Sequence, residues 1–124
     1  MMTQKEKKLE IEKSKIENKM NRYTRYAEAK GQFTGYNAEY WQNTLEYIDN
    51  KCPYCGESMD LASVEHIRPK SSEVGDFTKD NIIPACEKCN NEKADKDIIS
   101  YLIKKYGEDK AVEKLLDIED IINL

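Results

Sequence analysis

The sequence is poor in several features, and each shortage excludes a class of protein. His66 is the one histidine among 124 residues, so a metal site built from several histidines is excluded. No apolar run approaches the ~20 residues that cross a bilayer, and we expect no membrane partner. The start, MMTQKEKKLEIEKSK, lacks the apolar core of a signal peptide. We therefore expect the cytoplasm, or the host cytoplasm if a virus or mobile element encodes the chain.

A general excess of basic residues is also missing. The net charge is -4, which is unusual for a protein that binds nucleic acid. Residues 1–30 are the exception, with nine Lys/Arg against five Asp/Glu. Long-range attraction to phosphate must therefore come from this segment or from a local patch. The alternative is that these charges form an ordinary solvated helix face.

Hydrophobic spacing predicts two helices before the first cysteine. Residues 3–30 form a long predicted helix that ends at Gly31. Its apolar stripe consists of Leu9, Ile16, Met20, Tyr23 and Ala27. A loop, GQFTGYN, follows, and Asn37 is the expected N-cap of a second helix over 38–49. The stripe suits packing on the domain, a coiled coil with another chain, or a projecting arm.

The second half reads as two short extended pieces followed by helices. LASVEHI and NIIPA are the predicted strands, the second stopped by Pro84. A polar loop that contains Gly75 separates them. The chain is predicted to be helical from Cys86 onward, with Ile98, Ile99, Leu102 and Ile103 on one side of a helix that Gly107 ends. A final helix, broken near Asp117, completes the chain.

Four cysteines form two C-x2-C pairs, Cys52 with Cys55 and Cys86 with Cys89. Two such turns can place four thiolates around one zinc ion at ~2.3 Å. Disulfides and unrelated thiols are the alternatives, and a cytosolic chain disfavours disulfides. A four-thiolate centre has no open position for water, so its role would be structural. His66 is then not needed as a zinc ligand.

Polar side chains cluster within and just after the spacer between the cysteine pairs. Glu65, His66 and Asn81 lie inside it, and Asn90 and Asn91 follow the last cysteine. If the zinc frame ties the spacer's ends together, a carboxylate, an imidazole and carboxamides converge. Oxygen donors suit a hard cation such as Mg2+, beside a base that titrates near neutrality. From spacing alone, a structural histidine remains the commoner explanation.

The pattern CPYCG … VEHIRPKS … DNIIPACEKCNNEK resembles the HNH nucleases over about residues 50–97. The resemblance implies a ββα-metal site braced by a four-cysteine zinc, and His66 matches the family's general base. Asn81 matches the middle asparagine, which holds the loop and the base through hydrogen bonds. Asn90 stands where the last histidine usually lies, which makes an H-N-N variant.

The resemblance also implies a catalytic metal. Glu65 and Asn90 match the residues that hold Mg2+ or Mn2+, although Asp is commoner at the first position. Lys93 matches a basic residue that contacts phosphate, and Arg68 is a second candidate for such a contact. The loop after RPKS often carries two glycines in the family, whereas SSEVGD has one. The helices outside the matched segment have no counterpart in this pattern.

The predicted fold class is α+β and mostly helical, a small zinc-braced ββα-metal core with helical additions. We divide the chain into 1–35, a charged helix and loop; 36–100, the core with its preceding helix; and 101–124, helices that pack on the core. The implied function is a metal-dependent DNA endonuclease with structural Zn2+ and catalytic Mg2+ or Mn2+. Its expected partner is double-stranded DNA, with a protein partner or self-association through the 3–30 helix as a further expectation.

The sequence leaves two alternatives, one about catalysis and one about the geometry of Glu65 and His66. The same fold can serve as a zinc module that binds nucleic acid or protein with little or no cleavage, and the acidic balance favours that alternative. Glu65 and His66 are also neighbours on a predicted strand, and alternation would point them to opposite faces. For both to serve one site, the strand must twist, bulge or end there.

Overall fold

The computed structural model describes residues 2–29, 37–68 and 78–124, and at 23, 24 and 26–29 it describes the backbone alone. The predicted end of the first helix at Gly31, the loop before Asn37, the loop around Gly75 and the side chains of Tyr23 and Ala27 thus lie outside the described part. The elements are α1 (Gln4–Ala29), α2 (Ala38–Tyr47), β1 (Ser63–His66), β2 (Ile82–Ala85), α3 (Glu87–Lys93), α4 (Ile98–Tyr106) and α5 (Glu108–Ile122). The predicted α+β class, mostly helical with a small sheet, is confirmed.

The second helix begins and ends at residues whose side chains and backbone explain its limits. The Asn37 side chain accepts a hydrogen bond from Tyr40 N, which satisfies one of the free amides of the first turn. After the helix, Asp49 and Asn50 adopt φ values of 54° and 55°. Asp and Asn tolerate this left-handed conformation better than most residues, and it stops the helix. The predicted N-cap is confirmed.

The strands β1 and β2 form an antiparallel pair in which Val64 lies opposite Pro84, Glu65 opposite Ile83, and His66 opposite Ile82. The prediction that Pro84 stops the second strand was wrong, because β2 continues through it to Ala85. A proline is tolerated in a two-stranded sheet because it can occupy a position that donates no ladder hydrogen bond.

The C-terminal helices also correct two predictions. The helix α3, which contains the last cysteine, is short, because Ala94 takes a φ of 47° and Asp97 caps a new helix through Ser100 N. Gly107, at φ 86°, ends α4 as predicted. No break occurs near Asp117, since α5 runs unbroken past it.

The buried side of α4 also differs from the predicted one. Tyr101 and Leu102 are buried, whereas Ile99 and Ile103 are 50% and 40% exposed. The prediction is confirmed for Leu102, which is buried, and for Ile98, which packs against the larger cluster, and it was wrong for Ile99 and Ile103.

Two apolar clusters lie on the two faces of the sheet. The larger cluster contains Ile83, Ala85, two cysteines and buried residues of α4 and α5. The smaller cluster contains Met20 of α1, Trp41 of α2, Ile82 and Ala62, with Val64 packed against it. The helices after the core therefore cover one face, and α1 and α2 cover the other. No helix of the described segments is long and apolar enough to cross a membrane.

Candidate metal centre and nuclease site

The four cysteines converge as the spacing predicts. Their sulfur atoms all lie within 4.8 Å of one another, and Cys55 Sγ is 3.8 Å from Cys86 Sγ. A tetrahedral zinc with ~2.3 Å bonds requires sulfur separations of about 3.8 Å. All four cysteines are free thiols. The donor set and its spacing therefore fit a structural zinc ion.

Backbone amides orient the cysteine sulfur atoms. Cys86 N lies 3.4 Å from Cys52 Sγ, and Cys89 N lies 3.4 Å from Cys86 Sγ, so each amide donates to a sulfur. Gly56 takes a φ of 77°, which closes the turn that follows Cys52. The Gly56 amide thereby donates to Cys52 O at 2.7 Å. A residue with a side chain would be strained at that φ, which explains the glycine after the second cysteine.

The helix α3 lies along the outer edge of β1. Asn90 Nδ2 donates to Val64 O at 3.0 Å and to Ser63 Oγ at 3.0 Å. One helical turn later, Lys93 Nζ donates to His66 O at 2.9 Å. These two carbonyls are two residues apart on the strand, so they point the same way. The helix thus satisfies the carbonyl groups of an edge strand with side chains.

Glu65 and Lys93 form a buried ion pair. Their side chains are 2% and 0% exposed, and Nζ lies 3.3 Å from Glu65 Oε1. Burial raises the pKa of Glu65 to about 7, although the Lys93 ammonium acts in the opposite direction. The second oxygen, Oε2, is buried and has no hydrogen-bond partner. A buried carboxylate oxygen without a partner is a donor type that fits a hard divalent cation.

Asn81 holds the chain where it leaves β1. Its side chain is fully buried, its Oδ1 accepts from Arg68 N at 2.7 Å, and its Nδ2 lies 3.3 Å from Arg68 O. Its backbone carbonyl accepts from Ile67 N at 2.8 Å. The segment directly after His66 is thereby fixed by one asparagine. The exposed Arg68 guanidinium itself lies 3.6 Å from Asp80 Oδ1.

The register decides how Glu65 and His66 are arranged. Directly opposite residues of an antiparallel pair share a face, so Glu65 lies on the face of Ile83 and His66 on the face of Ile82. Ile83 belongs to the larger cluster and Ile82 to the smaller one. Ile67 packs on the larger cluster, so alternation continues past His66. The two side chains therefore do not share a sheet face, and a site that uses both must lie across the end of β1.

Known proteins resemble this chain. The HNH endonuclease family model matches residues 52–96, from Cys52 to just beyond α3. That segment is an HNH domain. A curated relative from Bacillus subtilis (strain 168), named "SPbeta prophage-derived putative HNH endonuclease YoqL", is 32% identical over 97 residues. The match takes in 68% of this chain and 39% of the relative, so the chain spans about two fifths of that protein's length. No solved structure matches the chain.

Sequence reasoning missed one interaction inside the HNH domain. Lys93 is predicted as a phosphate contact, but its amine is fully buried and bonded to Glu65 and to His66 O. In this arrangement the amine links α3 to β1 through hydrogen bonds. The sequence contains a signal for this interaction. Lys93 follows Asn90 by three residues, so the two side chains lie on the same side of the helix.

Proposed function

We propose that the HNH domain of this chain is a divalent-metal-dependent endonuclease that hydrolyses phosphodiester bonds in double-stranded DNA. The observation that carries the proposal is that Asn81, Asn90 and Lys93 all hydrogen-bond the short segment that bears His66. An HNH domain with a preorganised histidine is suited to general-base catalysis.

In the proposed reaction, His66 accepts a proton from a water molecule. The water oxygen bonds to phosphorus as the bond to the 3′ oxygen breaks, and the leaving oxygen takes up a proton. Glu65 and Asn90 would hold the cation, which supplies stabilisation of charge on the phosphoryl and leaving oxygens. Asn81 keeps the strand end fixed, so the backbone that carries the imidazole needs no reorganisation before the reaction. The phosphate would lie across the end of β1, where both faces are within reach.

A non-catalytic module that binds nucleic acid or a protein is the second candidate. The net charge of -4 favours it, because an acidic surface weakens attraction to DNA. A buried Lys93 favours it as well, since that amine does not reach the surface in this arrangement.

Metal-dependent nicking distinguishes the two candidates. We expect the zinc-loaded protein to convert supercoiled plasmid to nicked or linear DNA when Mg2+ or Mn2+ is added. Omitting the cation should reduce the rate at least about 100-fold, because charge stabilisation at the phosphate is lost. Zinc content should be measured in each reaction, so that loss of the structural ion is not mistaken for loss of the catalytic one. DNA binding without cleavage at any divalent cation concentration would favour the binding module.

A further inference from the structure

Four basic residues of α1 lie together on one side of its apolar stripe, and three of its glutamates lie on the other side. At 100° per residue, Lys8, Lys15, Lys19 and Arg22 fall within a sector of about 60°. We call this sector the basic edge. Glu12 comes next around the helix, and its Oε1 lies 3.1 Å from Lys15 Nζ. The stripe of Leu9, Ile16 and Met20 follows, and beyond it lie Lys13 and the glutamates Glu6, Glu10 and Glu17. The basic edge thus concentrates four cations on one side of the stripe.

The packing of α1 leaves the basic edge on the outside. Met20 is 1% exposed and lies in the cluster with Trp41, while the Gln42 side chain of α2 donates to Glu17. The acidic side of α1 therefore faces α2. All four residues of the basic edge are exposed, and their side of the helix points away from α2.

The sheet register connects this helix with the candidate nuclease site. Met20 packs in the cluster that contains Ile82, and Ile82 lies opposite His66 in the register. The layer that contains α1 thus covers the sheet face to which His66 belongs. The helix α1 therefore lies on the same side of the sheet as the His66 side chain.

The charge of the rest of the chain makes α1 the main source of attraction to DNA. Outside residues 1–30 the chain carries 11 Lys/Arg and 19 Asp/Glu. From Lys8 to Arg22 the basic edge extends over about 21 Å at 1.5 Å per residue. That length matches roughly six base pairs of duplex at 3.4 Å each.

We propose that the basic edge binds the sugar-phosphate backbone of duplex DNA and holds it against the HNH domain. The inference rests on the proposed function for its choice of duplex DNA. Lysine and arginine contacts to phosphate carry no sequence information. The edge would therefore supply affinity and orientation, and base specificity would have to come from elsewhere.

The test is duplex binding by the His66→Ala protein, which separates binding from cleavage. Fluorescence anisotropy of a labelled 20-base-pair duplex is measured across a salt series. One variant replaces all four edge residues with glutamine. A matched control variant removes four exposed charges elsewhere, by Lys13→Gln, Lys51→Gln, Lys104→Gln and Lys110→Gln. Circular dichroism and zinc content confirm that both variants are folded.

We expect the edge variant to bind at least about 100-fold more weakly at low salt, with a salt slope reduced by roughly 3 for the lost phosphate contacts. The control should bind within a few-fold of its parent. Equal losses in both variants would overturn the inference in favour of net charge alone, and an unchanged affinity in the edge variant would overturn it directly. Plasmid nicking by the unsubstituted chain reports on the proposed function separately, since a protein that never nicks can still show this binding pattern.

Discussion

Replacing Cys89 with serine should leave the domain largely unfolded. Cys89 is 1% exposed and lies in the larger apolar cluster. It joins the start of α3 to the 52–55 turn. A structural zinc contributes roughly 10–16 kcal/mol in small domains, which equals or exceeds the total stability of most of them. With one thiolate removed, the ion is held less tightly and the tie between the turn and the helix weakens.

Circular dichroism and a colorimetric zinc assay measure this effect. The parent should contain one zinc per chain and lose its cooperative thermal transition when a strong chelator strips the ion. Asn91→Ser is a matched control, since it changes an exposed residue of the same helix. A Cys89→Ser protein that bound one zinc per chain and melted at the parent's temperature would contradict the account of the frame.

Lys93→Met should destabilise the zinc-loaded protein by about 3 kcal/mol. The substitution leaves the Glu65 carboxylate buried without its cation and removes the donor to His66 O. Breaking a buried ion pair on one side costs about 3–5 kcal/mol. The lower figure is expected here, because burial already raises the pKa of Glu65 to about 7 and protonation relieves part of the cost.

Urea unfolding of four proteins tests this prediction. Lys88→Met, an exposed lysine of the same helix, should change stability by less than about 0.5 kcal/mol. The double variant Glu65→Gln with Lys93→Met should recover a good part of the loss, because no unpaired charge remains. Equal stability of Lys93→Met and the parent would show that the buried pair does not hold α3 against β1.

Local features of the sequence predicted most of the architecture. The two C-x2-C pairs predicted the cysteine cluster because a tight turn fixes both sulfurs of a pair, whatever surrounds it. Asn37 and Gly107 marked helix ends because capping depends on the residues next to them. The HNH pattern predicted the segment that the family model matches, 52–96.

Features that depend on tertiary packing were not predictable in the same way. Pro84 remains in its strand because its position in the ladder requires no amide donor. Which positions require one depends on the register of the two strands, and the sequence does not reveal that register. Ile99 and Ile103 are exposed, and α5 packs on the side of α4 that carries Tyr101 and Leu102. The buried role of Lys93 requires knowing that α3 lies along the edge of β1. The site predictions for His66, Glu65 and Asn90 stay predictions.

The most direct measurement of the central claim is the plasmid-nicking rate of His66→Ala beside the unsubstituted chain, both zinc-loaded and with Mg2+ or Mn2+ added. His66 is half-buried at the end of β1, and alanine there leaves the Asn81, Asn90 and Lys93 contacts to the backbone in place. We expect the variant to remain folded and to nick about 10²- to 10⁴-fold more slowly, as expected for loss of a general base. Undiminished nicking by a folded, zinc-loaded His66→Ala protein would contradict the account.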